Sequence, residues 1–175
     1  MKGKKILGIL SFLCMLIMPM YAYQSNNKSV VPEDYLKIMS KADSITVLLL
    51  DPWVEDASNW MDGFGEILGT VTIKQKDLIK RSYNLFADPE SFKISNLVKN
   101  CVHMPDAVIV FHYKNNQIKV SYSFYCDMCR FTNGDDYVEF EGERVRLKFL
   151  ELVQQAYPKD RYIRYLIKRE KSNLK

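Results

Sequence analysis

The sequence predicts an α+β domain: a small antiparallel sheet of about five strands with helices packed on one face. Three observations lead there. Residues 106–125 contain two strand-like runs, Ala107 to Lys114 and Gln117 to Tyr125, separated by Asn115-Asn116, two residues that tolerate positive φ and so read as a hairpin loop. Segments of helical period lie on both sides of this hairpin without alternating strictly with strands, which favours helices on one face over a doubly wound parallel sheet. Residues 23–175 show no internal repeat and have the length of a single domain.

Taken in order, the chain opens with Met1-Lys2-Gly3-Lys4-Lys5 and an uncharged apolar run from Ile6 to Met20, with Pro19 near its end and the small residue Ala22 after it. A basic start, a short apolar stretch and a small residue read as a secretory signal peptide over 1–22. The alternative is an uncleaved segment that anchors the protein to a membrane, but the run is short of the ~20 residues a spanning helix needs. Export implies a periplasmic or secreted protein. Removing 1–22 takes away three lysines and no acid, so the net charge falls from +4 to +1. A near-neutral domain gives no global electrostatic reason to bind nucleic acid or an anionic membrane.

Residues 23–31 are polar and unpatterned and read as a flexible linker to one domain over 32–170. Pro32-Glu33-Asp34 opens a helix with Tyr35, Ile38, Met39 and Ala42 on one side, its acids placed where the helix dipole favours them. Ser44 to Leu50 is a β-branched and leucine-rich strand. Residues 51–66 carry five acids, no base and both tryptophans, Trp53 and Trp60, punctuated by Pro and Gly; this is a loop. Ile67 to Ile73 forms a second strand, and Lys74 to Phe86 a helix with Leu78, Ile79, Leu85 and Phe86 apolar. Residues 87–105 give no firm pattern.

In the hairpin, Lys114 is expected opposite Gln117. Ile109, Phe111 and Tyr113 then share the core face with Ile118, Val120, Tyr122 and Phe124, and His112 faces Lys119 on the polar side. Turn-rich residues lead to a fifth strand, Tyr137 to Phe140. A helix with Val145, Phe149, Leu152, Val153 and Ala156 on a stripe ends at Pro158. A last helix capped by Asp160 runs from Arg161 to about Glu170, with 171–175 as a frayed tail.

The one cluster with chemical potential is Cys101, His103, Cys126 and Cys129, gathered at the open end of the hairpin. Three readings compete. A structural disulfide from Cys101 to Cys126 or Cys129 suits an oxidising compartment and closes a loop of about 25–30 residues, with one thiol left over and the pairing open. A zinc site would use Cys101, His103, Cys126 and Cys129 as a Cys₃His set. Thiol–disulfide oxidoreductase chemistry would use Cys126 and Cys129, although turn residues rather than a helix N-terminus follow them. The sequence favours the disulfide and calls for no cofactor, zinc being the alternative. Outside this cluster, Trp53 and Trp60 are candidate contacts for a partner protein or surface ligand. No serine–histidine–acid motif, phosphate loop or HExxH motif is apparent in the sequence.

Cys101, Pro105, the strand Ala107 to Tyr113, the pair Cys126 and Cys129, and the amphipathic stretch Val145 to Ala156 together resemble a pattern found in small exported bacterial proteins of unknown function. The resemblance covers about 60 residues and carries no catalytic role with it. The sequence thus points first to an exported, non-enzymatic binding or structural domain with a disulfide-stapled hairpin, the alternative being a thiol–disulfide oxidoreductase or zinc-binding protein that uses the Cys101, His103, Cys126 and Cys129 cluster.

Overall fold

The computed structural model describes residues 29–53, 65–92 and 101–173; the predicted signal segment 1–22, Trp60 and most of the acidic loop lie outside them. Six strands form one antiparallel sheet: β1 Ser44–Asp51, β2 Glu66–Ile73, β3 Ala107–Tyr113, β4 Asn116–Ser123, β5 Met128–Asn133 and β6 Asp136–Glu141. Their spatial order is β2-β1-β3-β4-β5-β6. Among the described residues four helices accompany it: α1 Glu33–Met39, α2 Lys76–Ala87, α3 Arg146–Ala156, entered through one 3₁₀ turn at Glu143–Val145, and α4 Arg161–Asn173. The fold is α+β.

Alternation along the strands separates two faces. Ile45, Val47, Ile109, Phe111, Ile118, Val120, Tyr122, Cys129 and Phe131 form the core face, and all four helices contribute to the same core through residues such as Met39, Phe86, Phe149 and Ile163. Phe86 of α2 is its hub, with the rings of Phe92, Phe111, Phe131 and Phe149 5.6–6.5 Å away, mostly edge-on or tilted. These are distances at which aromatic pairs add to area burial. The second face carries a smaller cluster, Leu48, Leu50, Val108 and Val110 with Ile67. It also carries a polar row in which Thr46 Oγ1 meets His112 Nε2 at 2.9 Å and Thr72 Oγ1 at 3.2 Å.

Two sequence expectations need correction. The β3–β4 loop is Lys114-Asn115, not Asn115-Asn116. Tyr113 pairs with Asn116 and His112 with Gln117, and Lys114 takes the positive φ of 53°. The slip is two residues, so parity is kept: Ile109, Phe111, Ile118, Val120, Tyr122 and Phe124 stay in the core, while Tyr113 lies outside the core cluster and His112 pairs with Gln117 and bonds Thr46 instead of facing Lys119. The second correction is a sixth strand: the Asn133-Gly134-Asp135-Asp136 turn does not replace a strand after Cys126 but ends one, β5, and joins it to β6 through Gly134 at φ 61°. The last helix also runs on to Asn173, with Asp160 Oδ1 accepting the Ile163 N–H at 2.8 Å as its cap.

Candidate functional site

One end of the sheet collects the C-terminal ends of β1 and β4 and the approach to β3. The backbone is closed here by Asp106, whose N–H donates to Tyr122 O and whose carbonyl accepts the Leu50 N–H, both at 2.9 Å. Its carboxylate accepts the Phe124 N–H at 2.7 Å. Burial pushes the Asp106 carboxyl up to about 6, with the charge of Asp51 adding to the rise; the Phe124 hydrogen bond and the Arg146 guanidinium pull the other way.

Behind Phe124 lies a buried polar node. Arg146, at the start of α3, donates to Phe124 O at 2.8 Å and to Asp127, and its Nε stands 3.0 Å from Glu170 of α4. Tyr122 donates to Gly142 O at 2.8 Å and meets Asp127 Oδ1 at 3.2 Å. Burial first, then the Asp127 carboxylate, holds the Tyr122 phenol far above its ordinary range, so it remains a donor. Two carboxylates around one buried guanidinium give the compensation that such a charge requires. The node fixes the loop 124–127, in which Asp127 adopts φ 52°.

A disulfide joins Cys101 to Cys126, with Cα atoms 6.2 Å apart, and so binds the approach to β3 to this same loop. It spans two segments 25 residues apart and resolves the pairing that the sequence left open. Cys129 is the remaining thiol among the described residues: it lies on the core face opposite Tyr122, fully buried, and burial raises its pKa well above the ordinary value. Cys126 and Cys129 therefore do not pair. His103 contacts the other face of the sheet through Ser121, so the four residues of the zinc reading are divided between a disulfide and two opposite faces. No group of three or more potential metal ligands is assembled among the described residues.

The structure brings together a trio that sequence reasoning missed: His103 Nε2 lies 2.8 Å from Ser121 Oγ, and its Nδ1 3.9 Å from Glu139. The residue types match a serine–histidine–acid set, but the environment does not. Ser121 is 1% exposed and its hydroxyl also reaches Arg130 O at 3.4 Å. Glu139 Oε1 is gripped by Arg130 through both Nε and Nη2 at 2.8 Å. Burial, helped by Arg130, lowers the His103 pKa to about 3, so the imidazole is a neutral hydrogen-bonding group and a poor base. The contacts anchor the 101–105 segment to the sheet. The 18-residue separation of His103 and Ser121 gave no local signal.

What the corner presents to solvent is aromatic. Trp53, just past β1, is 63% exposed, and Tyr125, in the β4–β5 loop, 76%. Their rings meet edge to face, with centroids 6.1 Å apart at 88°. The Trp53 N–H donates to Asp51 Oδ1 at 3.0 Å, which fixes the turn that carries the indole. Val102, beside the disulfide, is also largely exposed. Of the two sequence-flagged tryptophans, Trp53 is thus on the surface, and Trp60 lies outside the described residues. Tyr125 carried no signal in the sequence because it reads as the end of a core strand. Among the described residues no helix is long and apolar enough to cross a membrane. No protein-family model, curated protein or solved structure matches the chain.

Proposed function

We propose that the protein is an exported, non-enzymatic binding domain whose contact surface is the Trp53–Tyr125 corner and whose Cys101–Cys126 disulfide holds that surface in shape. The observation that carries this reading is the exposure of two large rings, packed on each other and set on backbone that is fixed from beneath. Exposed side chains of this size normally fold down against the body of a domain; rigid aromatic anchors that stay out are the residues that dominate interfaces. The disulfide and the Arg146 node reduce the ordering that a partner would otherwise have to impose, and preorganisation of this kind favours affinity. The basic and apolar composition of residues 1–22 and the presence of a disulfide both suit an oxidising, exported location.

Two measurements test the reading. Intact mass of protein recovered from the exported fraction should begin at Tyr23 and be two hydrogens short of the fully reduced chain; retention of residues 1–22 in that fraction would refute cleavage. Chemical cross-linking in the exported fraction should yield a discrete adduct with the wild type and lose it with Trp53→Ala/Tyr125→Ala, at unchanged thermal stability. An adduct pattern identical for both proteins would refute the corner as the contact surface.

A further inference from the structure

Two exposed or half-buried rings elsewhere on this protein already hold a cation of its own. Tyr137 carries the Arg130 guanidinium 4.6 Å from its centroid, and Tyr113 has the ammonium groups of Lys114 and Lys41 at 5.4 and 5.7 Å. Trp53 and Tyr125 have no lysine or arginine over them among the described residues, although indole is the best of the cation-binding rings.

Among the described residues Asp51 and Glu66, at the base of the rings, have no lysine or arginine within ion-pair reach. Asp51, whose carboxylate holds the Trp53 turn, is directly opposite Glu66 in the β1–β2 ladder. Side chains directly opposite in an antiparallel pair project to the same face, and like charges there repel. Asp106 adds a third carboxylate close enough to Asp51 for each to feel the other. Arg146, which offsets part of the Asp106 charge, is buried and paired with Asp127 and Glu170, so it leaves Asp51 and Glu66 without a counter-charge. Two open π faces with unbalanced carboxylates at their base make a surface complementary to a cation carried on a flat or flexible stem.

We infer that the Trp53–Tyr125 corner binds a positively charged segment of a partner protein, seating an arginine or lysine side chain against the rings with Asp51 and Glu66 as its counter-charges. This rests on the reading of the corner as the contact surface and adds the chemistry of what is contacted. Arginine fits best, because a guanidinium can lie on the indole face and still donate to a carboxylate at its edge. The domain itself is close to neutral, so a cationic segment is drawn by the corner and not by the molecule as a whole.

The test uses fluorescein-labelled hexa-arginine, hexa-glutamate and hexa-serine peptides, with fluorescence anisotropy on the purified oxidised domain at low and at physiological salt. Hexa-arginine should bind, and hexa-glutamate and hexa-serine should not. Trp53→Ala should weaken binding about tenfold. Asp51→Asn keeps an acceptor for the Trp53 N–H while removing the charge, and should weaken it about threefold. Tyr137→Ala, at a ring that already holds its own cation, should change nothing. Hexa-arginine binding that is unaffected by Trp53→Ala would mean diffuse attraction and overturn the inference, as would preferential binding of hexa-glutamate or hexa-serine. Failure of all three peptides would also overturn it while leaving the corner's role to the cross-linking result, so the two readings fail separately.

Discussion

Asp106→Asn should stabilise the protein at neutral pH and have little effect in acid. Asp106 is the carboxylate that closes the β1–β3–β4 corner, and burial raises its pKa from 3.8 to about 6. In the unfolded chain the group returns to its ordinary value, so between about pH 4 and pH 6 the folded state binds the extra proton. Stability contributed by this group therefore falls as pH rises through that window, and the cost of the buried charge is fully present above about pH 7. A displacement of roughly two units corresponds to about 3 kcal/mol at 1.36 kcal/mol per unit. Asparagine keeps a carbonyl oxygen for the Phe124 N–H and carries no charge, so it should recover much of that sum at pH 7.5 and almost none at pH 4. Urea unfolding of the two oxidised proteins across this range measures the difference directly, and comparing them cancels the titration of every other group. A stability difference that does not vary with pH would refute the argument. So would an asparagine variant less stable than wild type at pH 7.5, since that would make the ionised carboxylate the favoured form at the corner.

Other consequences concern the staple, the odd thiol and two tight contacts. Replacing Cys101 and Cys126 together by serine should cost about 3 kcal/mol, the loop-closure entropy for a span of this length, measured as a lower urea midpoint than that of the oxidised wild type. In the protein lacking residues 1–22, and with them Cys14, iodoacetamide should add no label in the native oxidised state, one label in urea, at Cys129, and further labels only after reduction, all counted by intact mass. Gly142→Ala should destabilise by about 2 kcal/mol or more, because its Cβ would come 2.6 Å from Cε2 of the buried Tyr122 ring, whose hydroxyl also needs the Gly142 carbonyl; thermal unfolding reports it. Ser121→Ala should cost about 1–3 kcal/mol by removing the partner of His103 Nε2, and a fluorophosphonate probe should label neither protein.

The parts of the fold legible in sequence were those that repeat a period. Ile109, Phe111, Val120 and Phe149 announce their faces through spacing of two or of three to four, and a two-residue slip in the 113–116 loop left those faces unchanged. β5 escaped because only Cys129 and Phe131 point inward along it, too few to establish an alternation beside a strong turn signal. At the site, spacing could gather the cysteines at one end of the hairpin but could not choose Cys126 over Cys129. That choice depends on Cys129 falling on the core face of a strand the sequence did not reveal. The Arg146 node was out of reach for a different reason: Phe124, Asp127, Arg146 and Glu170 meet only because α3 and α4 pack back across the β4–β5 loop.

Proximity of chemical groups is a poor guide to which end of this protein acts, and burial is the better one. Ser121 and His103 have the separation that a nucleophile and base require, yet no substrate atom can reach a hydroxyl 1% exposed, and an imidazole with a pKa near 3 gives little driving force for proton removal. The same burial that disables them catalytically makes their hydrogen bond effective as an anchor, since the alternative is two polar groups stranded in a dry interface. At the corner the balance is reversed. Asp106, Asp127, Arg146 and the disulfide spend their interactions on holding backbone, while Trp53 and Tyr125 are left in water with their faces open. A domain that needed those rings only for stability would gain by burying them, at roughly 25 cal/mol for each Å² of apolar surface removed from water. Keeping Tyr125 out on a loop fixed by a disulfide and a buried ion network, against Trp53 on a turn held by Asp51, is the arrangement expected of a surface whose burial is completed by another molecule.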